Sequence, residues 1–323
     1  MCDVVGIGNA LLDIVIEVDN TTLRELHLTK GKMHLIDKEM SGRIRSRLEK
    51  KPITMVPGGC AANTIAGLAS IGGSSALFGR VGADPFGETY ERETRAAGVT
   101  TILARETLAM TGHAIALITP DGERTFATHL GAANHFSKAD VSEQRIADAE
   151  ILHLEGYQLG DERLRETMLH AATLAHKHKT RVSIDVGDAA FITHHHAVFL
   201  SFIKEHADIV FMNEHEAHAL TGKEEDESLA EIRKHCSLAV LKLGERGSKI
   251  YGAAPLTIPV TRTIVVNTNG AGDMYAAGIL FGLVQKMSLE HAGRIASFAA
   301  ARVVASPGAR LERSIKDEIA NLR

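Results

Sequence analysis

Alternation constrains this chain more than any other feature. Short strand-like runs at 75–79, 151–154, 181–185, 208–211 and 238–242 are separated by longer stretches with helical periodicity. The helical stretches cover 61–70, 86–97, 162–179, 197–206, 214–221, 226–235, 272–286 and 289–305. Parallel strands need long crossovers, and helices supply them while covering both faces of the sheet. The expectation is therefore an α/β fold of three layers around a central, mostly parallel sheet. Val4-Val5-Gly6-Ile7-Gly8 reads as a further buried strand ending in glycines, and 248–251, 257–259 and 264–266 read as strands near the other end.

A second group of segments, 12–18, 32–36, 113–119 and 123–129, alternates only partly and looks half-exposed. Pro120-Asp121-Gly122 joins the last two as a hairpin turn. These segments predict a small β-sheet lid, formed by about 11–40 and 108–130, inserted in one domain spanning 1–323. There is no internal repeat.

With 45 % apolar residues, 24 % charged residues and a net charge of −4, the chain reads as an ordinary globular protein. No Lys/Arg block marks a nucleic-acid or membrane-surface partner, and no apolar run is long enough to cross a bilayer. Cys2, Cys60 and Cys236 are too few and too scattered for a disulfide framework. The first residues lead straight into a strand with no signal-like segment, so a cytoplasmic location is expected. The expected partner is a small molecule, with a monomer or homodimer as the assembly.

Chemistry concentrates at 267–286. Asn267-Thr268-Asn269-Gly270-Ala271-Gly272-Asp273 is a turn of small residues opening an apolar helix. The unpaired N–H groups of a helix start, together with its dipole, bind anions, and glycines let a phosphate approach the backbone. Asp273 would be repelled by that phosphate unless it has work to do, and general-base catalysis is such work. Read alone, Gly-Ala-Gly-Asp fits a helix cap equally well. There is no Gly-x4-Gly-Lys P-loop, and Gly6-Ile7-Gly8 lacks the later glycine of a dinucleotide fingerprint. His215-Glu216-Ala217-His218 brings its second His one residue too early for a zinc-protease helix, and the His194-His195-His196 run reads as surface.

Residues 267–273 match, except at the first position, the Asp-Thr-x-Gly-Ala-Gly-Asp signature of the PfkB/ribokinase family of carbohydrate and nucleoside kinases. Four further motifs resemble that family in order: Gly58-Gly59-Cys60-Ala61-Ala62-Asn63, the 79–87 segment, Asn213-x-x-Glu216, and Lys242-Leu243-Gly244 through Gly247-Ser248. The resemblance extends over almost the whole chain.

It implies an ATP-dependent kinase of ribokinase-like fold. Asp273 would be the base, and Gly270, Ala271 and Gly272 the anion hole. Asp13, Gly58, Gly59 and Asn63 would hold the acceptor, with a carboxylate suited to vicinal hydroxyls. Asn213, Lys242, Gly244, Gly247 and Thr268 would bind ATP. Glu216 would hold Mg2+ through water, since that ion keeps most of its hydration. The family also uses a monovalent cation such as K+. Asn267 stands where one of its acidic ligands would be, and the 305–309 loop would supply carbonyls. Arg124, in the hairpin, would either reach the phosphates or remain solvated.

The stretch from Gly8 to Ile14, with Pro57-Gly58-Gly59, is most similar to the adenosine kinase branch. Tyr157 and Phe191 stand where that branch places rings around a purine, though both rings fit a core equally well. A nucleoside such as adenosine is the expected acceptor, phosphorylated at its primary hydroxyl. A sugar such as ribose or fructose is the alternative.

Overall fold

A computed structural model describes residues 2–49 and 51–322. In chain order the strands are β1 Cys2–Ile7, β2 Leu11–Glu17, β3 Met33–Leu35, β4 Thr54–Pro57, β5 Ser75–Gly82, β6 Thr100–Glu106 and β7 Gly112–Ile118. They continue with β8 Arg124–His129, β9 Ala149–Glu155, β10 Arg181–Asp185, β11 Ile209–Asn213, β12 Leu238–Lys242, β13 Ser248–Tyr251 and β14 Pro255–Ile258. Nine of them form one sheet in the order β14-β13-β12-β11-β10-β9-β1-β5-β6. Its pairs are parallel from β12 to β6, and β13 and β14 close one side as antiparallel strands.

Strand periodicity divides the core in two. Ile151, Ile209, Phe211, Leu238 and Val240 point to the face covered by the Cys60–Ser70, Ala271–Val284 and Leu289–Val304 helices. Their neighbours Leu152, Leu154, Val210, Ala239 and Leu241 point to the face covered by the Glu162–Lys177, His196–His206, Glu214–Thr221 and Glu225–Arg233 helices. Successive side chains on opposite faces, each capped by helices, explain why these strands read as continuous apolar runs.

The remaining five strands form the smaller sheet, in the order β3-β8-β7-β2-β4. Ile14, Ile16, Ile115, Leu117 and Ala127 pack on one face with Leu23, Ile44 and Leu48. The opposite face carries Asp13, with Val56 and Ala114 as its register neighbours.

Several sequence expectations need correction. Ile264, Val265 and Val266 do not form a strand. They are strongly exposed, and the Val266 and Asn267 N–H groups donate to the Val304 carbonyl instead of to a neighbouring strand. Strands β4 and β6 and the Lys38–Leu48 helix were absent from the expected elements. Thr54, Met55 and Val56 sit on an edge, and β6 is the outermost strand, so neither has the apolar signature of a central strand. The Lys38–Leu48 helix buries only Ser41, Ile44 and Leu48, too thin a stripe for the sequence pattern to register. Among the described residues no helix is long and apolar enough to cross a membrane.

Candidate active site

The four central strands end in polar residues at their carboxyl ends: Glu155 on β9, Asp185 on β10, Asn213 on β11 and Lys242 on β12. Register pairs Asp185 with Glu155 and Asn213 with Lys242, so the four form a row along one edge of the sheet. In open α/β sheets this is the edge where ligands bind.

The Gly270 turn faces that row. Gly270 is the N-cap of the Ala271–Val284 helix, with φ 77°. A side chain there would be strained, and its Cβ would collide with the carbonyl oxygen of Ala309. A Cβ on Gly272 would lie 3.2 Å from Lys242 Nζ, which brings the ammonium to the mouth of the turn. Lys242 Nζ also lies 2.6 Å from Asp185 Oδ2. Burial disfavours its charge, but Asp185, Glu216 and Asp273 more than compensate and hold the ammonium well above its usual range. A fixed cation and the start of a helix therefore meet at one place, as a phosphoryl group requires.

Asp273 lies in the first turn of that helix and is half-buried. Burial, reinforced by the Asp185 and Glu155 carboxylates, pushes its carboxyl up to about 7, against the pull of Asn63 and Lys242. Asn63 Nδ2 donates to Asp273 Oδ2 at 2.9 Å. Asp273 is thus poised to take a proton near neutrality, a property a plain helix cap does not need.

Asn63 stands on the Cys60–Ser70 helix, whose start is held by a distant carboxylate. Glu155 accepts from Ala61 N at 3.0 Å and from Asn9 N at 2.8 Å, and burial pushes it up to about 7. The helix begins at Gly59, with φ 90°, where a Cβ would strike the Asn9 carbonyl oxygen. A Cβ on Gly58 would enter the Asp13 carboxylate, so Asp13 rests directly on the Gly58 backbone. Burial pushes Asp13 up to about 6, moderated by Arg310 and Arg124. Asp13, Gly58, Gly59, Asn63 and Asp273 are therefore contiguous, and Arg124 lies close enough to act on Asp13.

The remaining expected residues fall into place unevenly. Asn213 is the N-cap of the Glu214–Thr221 helix in a reciprocal capping box: it accepts from Glu216 N at 2.9 Å, and Glu216 accepts from Asn213 N and Nδ2 at 2.6 Å. Glu216 is buried, and burial pushes it up to about 7. It lies near Asp185, Asp188 and the single Lys242 ammonium, so oxygen donors outnumber cationic partners there. Among the described residues no three His, Cys, Asp or Glu side chains converge to ligate an ion directly. That donor set fits an Mg2+ that keeps its water shell.

Gly244 and Gly247 both have positive φ at the β12–β13 turn; Gly247 is packed against the Ile258 carbonyl, while Gly244 opens onto free space. Thr268 is exposed, and its carbonyl accepts from Ala271 N. Asn267 Nδ2 donates to the Pro307 carbonyl at 2.7 Å, and its Oδ1 accepts from Asn269 N at 3.0 Å. The amide thus takes up a carbonyl that a monovalent cation would need, and the residues present do not fit such an ion as they stand. Tyr157 and Phe191 touch each other, with ring centroids 5.6 Å apart and tilted by 50°, and Phe191 also packs on His195 and Phe199. They form a packed pair and leave no slot between them for a base. His196 bonds the Leu220 carbonyl and His218 the Lys223 carbonyl at helix junctions away from the row.

Sequence reasoning missed Glu155, Asp185 and Arg310. The first two end predicted strands, and that position was the available signal. Arg310 lies in the irregular 305–315 segment, and no periodicity marks it.

A family model described as pfkB family carbohydrate kinase matches residues 33–316. The chain belongs to that family. As a pfkB kinase it is a phosphotransferase with an alcohol group as acceptor. A solved adenosine kinase from Sinorhizobium meliloti is 34 % identical, with a TM-score of 0.91 over 100 % of this chain and 99 % of that one. A probable sugar kinase from Rhizobium etli is 33 % identical, with a TM-score of 0.92 over the same shares. The 5-dehydro-2-deoxygluconokinase of Bacillus subtilis is 28 % identical over 82 % of this kinase and 86 % of its own length. PfkB kinases use ATP and a divalent metal, and the relatives of this one act on small molecules.

Proposed function

We propose that this kinase transfers the γ-phosphoryl group of ATP to the primary hydroxyl of a nucleoside such as adenosine. The observation that carries it is the hydrogen-bonded Asn63–Asp273 pair beside Asp13, facing the Gly270–Gly272 turn and Lys242. Asp13 accepts hydroxyls of the acceptor's sugar. Asp273 removes the proton from the primary hydroxyl as its oxygen attacks the γ-phosphorus, and the bond to the β-phosphate oxygen breaks to release ADP. The Gly270–Gly272 amides and Lys242 stabilise the charge on the moving group, which is the principal task in phosphoryl transfer. Mg2+, held through water by Glu216, would neutralise phosphate charge.

The nucleoside reading is supported by the surroundings of Asp13. Val56 and Leu35 lie in its register row on the smaller sheet and are both exposed, which suits a base better than a bare sugar. The smaller sheet would act as a lid over the acceptor, with Arg124 carried on it. The whole-chain likeness to an adenosine kinase points the same way.

A sugar acceptor is the second reading, favoured by the closed contact between Tyr157 and Phe191. ADP release from ATP·Mg2+ over a panel of adenosine, inosine, guanosine, ribose and fructose tests both. Turnover confined to nucleosides is expected; turnover confined to sugars overturns the first reading.

A further inference from the structure

Arg310 lies outside every motif that pointed to the site, yet it reaches the site's centre. Its Nε donates to Asn63 Oδ1 at 2.8 Å, and its Nη2 donates to the Gly58 carbonyl at 3.2 Å. Asn63 in turn donates through Nδ2 to Asp273. We propose that Arg310 is a positioning residue for the base: by claiming the carbonyl oxygen of Asn63 it fixes which end of that amide faces Asp273. This role rests on Asp273 acting as the base.

The physical reason lies in the symmetry of an amide. The oxygen and nitrogen of Asn are nearly the same size, and only their partners decide which way the group faces. A guanidinium can only donate, so Arg310 accepts no orientation but the one with Oδ1 toward itself. The NH2 must then point at Asp273. Donation to one carboxylate oxygen favours the ionised form and leaves the other oxygen free for the acceptor's proton. Without Arg310 the amide can turn over. Its carbonyl would then face Asp273, an arrangement that suits only a protonated carboxyl.

Several other groups act on Asp273, and none can replace this contact. Asp185 from β10 and Glu155 from β9 oppose its charge, while Lys242 from β12 and the charge of the Arg310 guanidinium itself favour it. Cys60, at the start of the Cys60–Ser70 helix, is held protonated by burial. Among the described residues Asn63 is the one side chain that hydrogen-bonds the Asp273 carboxylate, so control of Asn63 is control of the base's resting state.

Two measurements on the full-length protein test the proposal. The first follows the Asp273 carboxyl by infrared titration without acceptor, using Asp273→Asn to identify its band. The second follows the acid limb of kcat/KM with ATP·Mg2+ and adenosine, or with ribose if the acceptor panel selects sugars. Arg310→Met is expected to move both upward by about one pH unit, Asn63→Leu to do the same, and the double variant to move them no further. Arg310→Lys keeps a donor and should hold the limb near its original place. Arg310→Gln serves if the Met variant does not fold, because its amide has no fixed donor sense and the same upward direction is expected. An unmoved titration in the Met or Gln variant, or additive shifts in the double variant, overturns the proposal. If Asp273→Asn keeps turnover, the base assignment fails whatever Arg310 does. If Asp273→Asn abolishes turnover and the Arg310 variants titrate unchanged, only the positioning role fails.

Discussion

Asn63 Nδ2 and Asp273 Oδ2 lie 2.9 Å apart although 210 positions separate them in the chain. One residue belongs to the glycine-led helix under Asp13 and the other to the anion-binding turn. Their contact joins the acceptor side of the site to the phosphate side.

Replacing Asp273 by Asn keeps the shape and removes the base. The expected loss in kcat is about 10²–10⁴-fold, with ATP binding retained. Steady-state kinetics and calorimetric titration of ATP check both halves, and near-normal turnover would refute the assignment.

In the proposed mechanism the ionised form of Asp273 is the active one, and burial pushes its carboxyl up to about 7. Activity should therefore rise with pH through an acid limb close to neutrality, and kcat/KM should be nearly flat above it. A limb near the ordinary carboxylate range, around pH 4, would mean that the buried carboxyl is not the group that limits the rate.

Four carboxyls, Asp13, Glu155, Glu216 and Asp273, titrate higher in the fold than in an unfolded chain, chiefly through burial. The folded state binds more protons between the two ranges, so their contribution to stability is full below about pH 4 and is lost as pH rises through about 6–7. Ligand-free protein should therefore melt at a lower temperature at pH 8 than at pH 6. Mg2+ with ATP should narrow that gap by supplying positive charge beside Glu216. Calorimetry at the two pH values reads the sign directly.

Lys242 is the buried cation between Asp185 and the Gly272 turn. Lys242→Met leaves Asp185 uncompensated, and breaking a buried pair in this way costs about 3–5 kcal/mol. The variant should melt earlier, and the protein that remains folded should bind ATP more weakly. Unchanged ATP affinity would remove Lys242 from the phosphate site.

Asn267 already bridges to the Pro307 carbonyl through its own NH2. Turnover should therefore be the same in sodium, potassium or Tris buffers, while Asn267→Asp should create a potassium requirement. Strong potassium activation of the unaltered protein would show that the amide swings away to admit the ion.

The parts of the site legible in advance were those with a local cause. Gly270 is recognisable because a positive-φ turn before a helix calls for glycine, and Asp273 because a carboxylate at a phosphate cradle demands a reason. Ile264–Val266 misled because their apolar, β-branched character resembles a strand, while the edge they would join already ends at β14. Tyr157 and Phe191 stand near the expected strand ends, but whether two rings bound a slot or touch depends on packing that no spacing encodes.

By itself the sequence determined the layered α/β architecture and marked the glycine turn at 270–272 with its carboxylate at Asp273, because period, glycine placement and helix starts are properties of neighbouring residues. Only the tertiary structure decided what surrounds that carboxylate. Asn63, Asp185, Lys242 and Arg310 come from four separate segments, and their mutual distances arise from strand order and helix packing. Hydrogen bonding and charge act through distance in space and not along the chain, so the state of Asp273 is settled by its spatial neighbours.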